Sequence, residues 1–493
     1  MSTYLLAIDQ GTTGTTSLLI DAKNLKVVDK EKVDYRQIYP HPAWVEHDLN
    51  DIWQSIEDSI EIILKRQKVG KSDLMAIGIT NQRETTCAFN RQGKPLHHAI
   101  VWQDRRTASW CDSHRDEYEK KYRSLTGLPL DPYFSGTKMR WLLENSQEVK
   151  NAASKNDLLF GTIDTYMVYR LSAGLTHVTE ASNASRTMLM SLESFDWDKN
   201  LLDFFGIDRK FLPEICESFT SFGTTKNCGF LPDGIPILSI LGDQQAALFG
   251  QACVNEGDIK CTYGTGAFLL LNTGEKKVFS QTGLLTTAAY FYQRKKIYAL
   301  EGSTYIAGAA VQWLRDNLRS IRSSSEVERM ANEVTDLSQM ADVLFMPFFT
   351  GIGTPYWNSE AKAAIMGLTR GTHNGHIARA CLEGIALSVN DSVSSFKKDF
   401  SKLNDIRVDG GASANNLLMQ MQANFSEKKI LRPEVTDTTA YGVALGALVS
   451  RGEIKISELG KLWKLEKEFT PGNEKYYADK RSLWDKTLKK VFL

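Results

Sequence analysis

Three stretches of the chain combine an acid, glycines and hydroxyls beyond what turning the backbone requires. In LLAIDQGTTGTTSLLID an apolar run ends at Ile8, meets Asp9, and passes through Gln10-Gly11-Thr12-Thr13-Gly14-Thr15-Thr16. A second apolar run, Leu18 to Ile20, then closes on Asp21. A tight hairpin by itself accounts for the glycines. Thr12, Thr13, Thr15 and Thr16 add hydroxyls beyond that need, and small side chains leave backbone N–H groups facing outward as an anion nest. Asp9, at the strand end, has the chemistry to hold Mg²⁺, which takes carboxylate oxygens and retained water. KCTYGTGAFLLLN (260–272) repeats the layout around Gly264-Thr265-Gly266. That internal echo is the mark of a duplicated domain. Two such cradles imply a cleft that closes around ATP. The third stretch, IRVDGGASANN (406–416), ends a strand in Gly410-Gly411. Glycine there lets a flat ring lie on the backbone, and Asn415 or Asn416 can bond a purine or ribose; a plain strand-to-helix turn has the same composition.

The elements that must carry these turns alternate between strand-like and helix-like, which predicts an α/β protein. LMAIGITNQ (74–82) and IPILSILGDQ (235–244) read as strands. Residues 48–70 place Ile52, Ile56, Ile60, Ile63 and Leu64 on one helical face, with Asp48 or Asn50 as cap and Gly70 as stop. Residues 376–396 read as a second long helix rich in small residues. The 493-residue length suits two domains, with a boundary near 246–252 that divides the chain into 1–248 and 249–493. No motif is legible after about Glu453.

Lys plus Arg equals Asp plus Glu, 59 each, which argues against nucleic acid as a partner. No apolar run is long enough to span a bilayer, and MSTYLLAID lacks the basic and hydrophobic regions of a signal peptide. Seven scattered cysteines without a CxxC pair read as free thiols, so a cytoplasmic location is expected. No GxxxxGK[ST] occurs (Gly-Lys-Ser at 70–72 has Lys65 where the leading glycine belongs), nor a GxGxxG after a strand, nor an HRD/DFG set. A P-loop enzyme, a nicotinamide enzyme and a protein kinase are all disfavoured.

The order of motifs resembles the FGGY carbohydrate kinases of the actin-like ATPase superfamily. They are Asp9–Thr13, GITNQRETT (78–86), AIVWQDRRT (99–107), DPYFSGTKMRWLL (131–143), GDQQAALFGQ (242–251), YGTGAFLL and RVDGGASANN. The likeness runs from residue 4 to about 450 and includes both family signatures. One is Tyr133 to Trp141, with Ser135 and Lys138; the other is Ala363 to Glu383, with Gly367, His376 and Ala380. The resemblance implies two ribonuclease H-like domains, mixed sheets flanked by helices, with ATP and substrate between them. It implies Mg²⁺-dependent transfer of a phosphoryl group from ATP to glycerol, giving sn-glycerol 3-phosphate in glycerol breakdown. By the same resemblance Arg83 and Glu84 bind the two unreacting hydroxyls, their opposite charges holding each other in place. Tyr133 adds a hydroxyl contact, and Trp102 and Phe268 wall the carbon chain. Asp243 is the general base and shares the metal with Asp9, and Gln244 orients the substrate. Thr12, Thr13, Gly14 and Thr265 surround the phosphates, and Gly308, Gln312, Gly411 and Asn415 surround the rest of the nucleotide. A homodimer or homotetramer is also implied. Taken singly, Arg83-Glu84 equally suits a surface ion pair, Trp102 or Phe268 a core position, and Asp243 a turn.

The chain departs from the family in three places. Thr16 stands where many relatives carry an arginine near the phosphates, so altered nucleotide affinity is expected. Gly234 in NCGFLPDGIPI (227–237) replaces the arginine of a sugar-bisphosphate loop, and no phosphorylatable histidine accompanies it. The tail FTPGNEKYY (469–477) is a poor match to a regulatory docking segment. Rival readings are a kinase of the same family for xylulose, ribulose or gluconate, and an actin-like ATPase that drives shape change without phosphorylating a substrate.

Overall fold

The computed structural model describes residues 3–70, 72–340, 342–472 and 474–493. The readings made at Met1 and Ser2, at Lys71 of the Gly-Lys-Ser run and at Asn473 of the tail lie outside the described residues.

The first sheet grows from the opening hairpin. β1 (Tyr4–Gln10) pairs antiparallel with β2 (Gly14–Asp21), Asp9 opposite Thr16, and β3 (Val27–Asp34) continues from β2. β4 (Leu74–Asn81) runs parallel to β1, and β5 (Ile237–Gly242) parallel to β4, giving the order β5-β4-β1-β2-β3. Leu5 to Ile8 are fully buried, as expected of a central strand covered on both faces. α1 (Leu49–Gln67) covers one face with Ile52, Ile56, Ile60 and Ile63. Asp48 caps it, accepting the Asn50 N–H at 2.8 Å. Its end differs from the expectation: Lys68, at φ 53°, adopts the left-handed conformation that terminates the helix, before Gly70 is reached.

The second sheet repeats the hairpin as β6 (Ile259–Tyr263) and β7 (Ala267–Gly274). It adds β8 (Leu285–Tyr292), β9 (Lys295–Thr304), β10 (Ile406–Asp409), β11 (Ile430–Pro433) and β12 (Leu465–Phe469). The order is β8-β9-β7-β6-β10-β11-β12, parallel and antiparallel pairs mixed.

Two helices fasten the sheets together. α2 (Asp243–Gly250) follows β5 directly, and α3 (Thr438–Ser450) crosses it. A Cβ at Gly250 would stand 2.0 Å from the Thr438 carbonyl oxygen, and one at Gly442 2.0 Å from that of Ala246. Only glycine permits so close a crossing. Around it one apolar cluster joins Leu5 and Ala7 of the first sheet, Leu270 and Ala299 of the second, and Ala444 and Leu448 of α3. The β8–β9 hairpin is embedded in the first half of the chain. Leu285, Ala288 and Tyr298 pack with Phe134 and Leu189, and the Tyr298 hydroxyl donates to the Leu192 carbonyl at 2.9 Å.

The C-terminal segment, unread in the sequence, supplies β12 and α4 (Glu474–Val491). α4 buries Trp484 and Lys480, the latter donating to the Val343 carbonyl at 2.6 Å and lying 3.4 Å from the buried Glu383.

Candidate active site

The β1–β2 turn is held from behind by its carbonyls. Tyr35 Oη donates to the Gly11 and Thr12 carbonyls at 2.5 and 3.0 Å, Gln37 Nε2 to Thr12 at 3.0 Å, and Gln82 Nε2 to Gly11 at 3.2 Å. With those oxygens occupied, the Thr12 and Thr13 N–H groups have no hydrogen-bond partner among the described residues. This is the arrangement an anion nest needs. Thr15 does not belong to it: its hydroxyl bonds Ser55 of α1 at 2.7 Å, buried beneath the sheet, because the strand's alternation turns it away from the turn. Gly14 opens β2 and accepts the Gly11 N–H at 3.0 Å.

The second turn exposes Gly264 and Thr265. The helix Gly308–Asp316 starts on it, Ala307 N–H donating to Thr265 O at 2.8 Å and Gly308 N–H to Gly264 O at 3.0 Å. A Cβ at Gly308 would stand 2.7 Å from Gly264 O and 4.0 Å from the Ala412 Cβ, so this turn, Gly308 and the Gly410–Ala412 loop meet at one place. Gly411 faces open space and Gln312 is exposed. Asn415 caps the helix Asn416–Ser426, its Oδ1 accepting the Leu418 N–H at 2.8 Å, so that oxygen is committed to the helix.

Between the sheets lies a cleft of about 170 Å³, lined by Asp9, Thr16, Thr262, Asp409, Gly410 and Asp437. Burial, and then the negative charge of Asp243 and Asp437, push the Asp9 carboxyl up to about 7 against the pull of Lys30. Lys30 reaches across from β3 to pair with Asp437. Asp409 is engaged, accepting from Gln251 at 2.8 Å and Thr438 at 2.6 Å. Among the described residues no group of three or more His, Cys, Asp or Glu forms a protein-only metal cage. Asp9 and Asp243, the second close enough for its charge to act on the first, fit the one or two carboxylates that Mg²⁺ takes when phosphate and water complete its shell.

Beside this cleft, charged groups alternate. Arg83 and Glu84 are 3% and 1% exposed, which removes the surface-pair alternative. They pair with each other as the sequence had suggested, Arg83 Nε standing 3.9 Å from Glu84 Oε1, but each has a nearer partner. Arg83 makes a bidentate pair with Glu301 at 2.7 and 2.8 Å, touches Gln245 at 3.2 Å, and presents Nε to Asp243 Oδ1 at 3.3 Å. Glu84 is held by Arg186 Nε at 2.5 Å. Burial pushes the Glu84 carboxyl up, against the two arginines. Glu84 also sits at φ 61°, a conformation an L-residue enters at a cost. Ser135 and Lys138 of the Tyr133–Trp141 signature fix it there by donating to its carbonyl at 3.0 and 3.2 Å. Burial lowers the Lys138 ammonium to about 7.

Asp243 opens α2 with its side chain 31% exposed, within reach of a substrate. Gln244 donates its backbone N–H to Asp243 Oδ1 at 2.7 Å, while its side-chain oxygen accepts from the buried Lys260. Trp102 meets the edge of Tyr133, ring centroids 5.7 Å apart, and donates its indole N–H to Thr12 Oγ1 at 3.0 Å. The Tyr133 ring lies 5.5 Å from the Arg186 guanidinium. Phe268 is half-buried on β7, opposite Thr262 and Ser303. Sequence reasoning missed Arg186, Glu301 and Gln245; the doubled glutamine of GDQQ was the one local signal.

Two duplicated sheet-and-hairpin units facing a carboxylate cleft, next to a buried Arg-Glu site, define a two-lobed kinase of small molecules. The chain belongs to the FGGY family of carbohydrate kinases, whose N-terminal domain matches residues 4–250 and whose C-terminal domain matches 259–451. It is 46% identical to a glycerol kinase of Bdellovibrio bacteriovorus over 100% of both chains. It is 47% identical to one of Deinococcus radiodurans over 95% of this chain and 93% of that one. A crystal structure of Plasmodium falciparum glycerol kinase with ADP superposes with a TM-score of 0.92 at 35% identity, over 100% of this chain and 99% of that one. Among the described residues no helix is long and apolar enough to cross a membrane.

Proposed function

We propose that this protein phosphorylates glycerol with ATP, forming sn-glycerol 3-phosphate. The observation that carries the reading is the meeting of Asp243 with the buried Arg83 at 3.3 Å, beside a cleft whose first turn presents N–H groups with no partner among the described residues. A triol needs buried donors and acceptors for its hydroxyls, and leaving them unpaired gives the discrimination. Arg83 donates and Glu84 accepts at the two unreacting hydroxyls, Tyr133 adds a third contact, and Trp102 and Phe268 close on the carbons.

Asp243 takes the proton of the attacking hydroxyl, oriented by Arg83 and by the Gln244 N–H. The Thr12 and Thr13 N–H groups, with Gly14 and Thr265, surround the phosphoryl oxygens, and Gly308, Gln312, Gly411 and Asn415 receive the nucleoside. Asp9 and Asp243 would hold Mg²⁺, which when bound neutralises charge on the phosphates. With a loose transition state, this alignment is most of the catalysis.

The test is ATP turnover with glycerol, pentuloses, hexonates and no acceptor in parallel. Turnover with glycerol alone supports the proposal. Preference for a pentulose or hexonate moves the substrate, and acceptor-independent hydrolysis at full rate indicates a motor ATPase.

A further inference from the structure

We propose that Glu301, on β9 of the second sheet, is a positioning residue for the acceptor site, with Arg186 as its second attachment. The proposal rests on reading Arg83, Glu84 and Asp243 as that site. Glu301 is 0% exposed, so it does not touch a substrate. It sits at the centre of a chain of opposite charges. One side runs through Arg83, held at 2.7 and 2.8 Å, to Asp243 at 3.3 Å. The other runs through Arg186, 3.3 Å away, to Glu84 at 2.5 Å. Each arginine thus holds one working carboxylate, and a single buried carboxylate sets the orientation of both arginines.

The bidentate fork fixes the plane of the Arg83 guanidinium and with it the direction of Nε toward Asp243. Arg186 is tethered less completely: its Nη1 and Nη2 are both buried with no hydrogen-bond partner among the described residues, and Nη2 meets Glu301 as an ion pair at 3.3 Å. Without the Glu301 charge, two guanidiniums would face each other in a dry site, and both would turn toward Glu84 and Asp243. The acceptor pocket would lose its shape, while the phosphate turns, which Glu301 does not contact, would keep theirs. Glu301 also comes from the other sheet, carried into place by the embedded β8–β9 hairpin. The acceptor site is therefore complete only when the halves of the chain are docked through that hairpin.

The experiment compares wild type with Glu301→Gln. Glycerol and ATP are varied in turn, and the melting-temperature shift is measured on adding glycerol alone or ADP alone. The expected result is a KM for glycerol raised about tenfold or more, with the KM for ATP unchanged within about twofold. The glycerol-induced shift is lost and the ADP-induced shift remains. Equal change in both constants, or change in neither, in a folded variant overturns the proposal. Should Glu301→Gln fail to fold, Arg186→Gln is read by the same split, since it leaves the Arg83–Glu301 fork intact. If wild type phosphorylates another acceptor and not glycerol, the substrate reading fails while Glu301 is judged on that acceptor's KM. If no acceptor is phosphorylated, the positioning role falls with it.

Discussion

The indole N–H of Trp102 donates to Thr12 Oγ1 at 3.0 Å, so the proposed wall of the acceptor pocket is bonded directly to the β1–β2 turn. On the proposed reading, a group that packs against the substrate's carbons thereby fixes a hydroxyl facing the phosphates. Trp102→Phe keeps the apolar wall and removes the donor. One neutral hydrogen bond is worth about 0.5–1.5 kcal/mol, so kcat is expected to fall about two- to tenfold. The KM for glycerol should change less than kcat, as steady-state kinetics would record. A KM effect larger than the kcat effect would mean that the ring's packing, not its N–H, is what the site uses.

Asp243→Asn keeps the shape at the start of α2 and removes the proposed base. General-base removal costs about 10²- to 10⁴-fold in rate. Phosphoryl transfer should fall by that order while glycerol still raises the melting temperature. Turnover near the wild-type rate would move the base to another residue.

Gly442→Ala places a methyl 2.0 Å from the Ala246 carbonyl oxygen. Overpacking of this kind costs about 1–3 kcal/mol. Because α2 begins with Asp243, displacement of the crossing should alter kcat and both KM values together. Urea denaturation and kinetics on the same preparation check this; a stable variant with unchanged constants would show that the two helices can separate without consequence.

Glu301 carries a pH signature. Burial raises its carboxyl, but Arg186 and Arg83 outweigh that and hold it down at about 2, against an ordinary 4.5. A depressed carboxylate stabilises the fold in full above its unfolded value and loses that contribution as pH falls through the folded one. At most about 3 kcal/mol should therefore disappear between pH 4.5 and 2. The urea midpoint of wild type should exceed that of Glu301→Gln at pH 6 and approach it as the pH is lowered toward 3. Parallel curves would exclude the ion pairs as the source of the difference.

The hairpins, the β4 and β5 strands and the apolar face of α1 were legible because each is a local pattern. Ile52, Ile56, Ile60 and Ile63 announce themselves by spacing. Asp9, Thr12 and Thr265 could be singled out as candidates because their neighbours in sequence are also their neighbours in space. Glu301 was not: in YALEGS it is one acid in a strand, and its meaning comes from Arg83, distant in sequence. Arg186 was hidden likewise, and the Arg83-Glu84 pairing read from the sequence is present at 3.9 Å but is the looser part of the network, because Glu301 and Arg186 stand closer. Tyr35 and Gln37 gave no signal because their task is to hold carbonyls, which leaves no residue pattern. The C-terminal segment reads as charged and unremarkable until Lys480 and Trp484 are seen to be buried.

The embedding of β8 and β9 among Phe134, Leu189 and Leu192 has a consequence for biosynthesis. The first half of the polypeptide leaves the ribosome with an open seam, which closes only after residues 285–304 have emerged and threaded back. A fragment ending near residue 250 would expose that seam to other chains. Nascent copies of this protein must stay shielded from one another until well past the midpoint of translation.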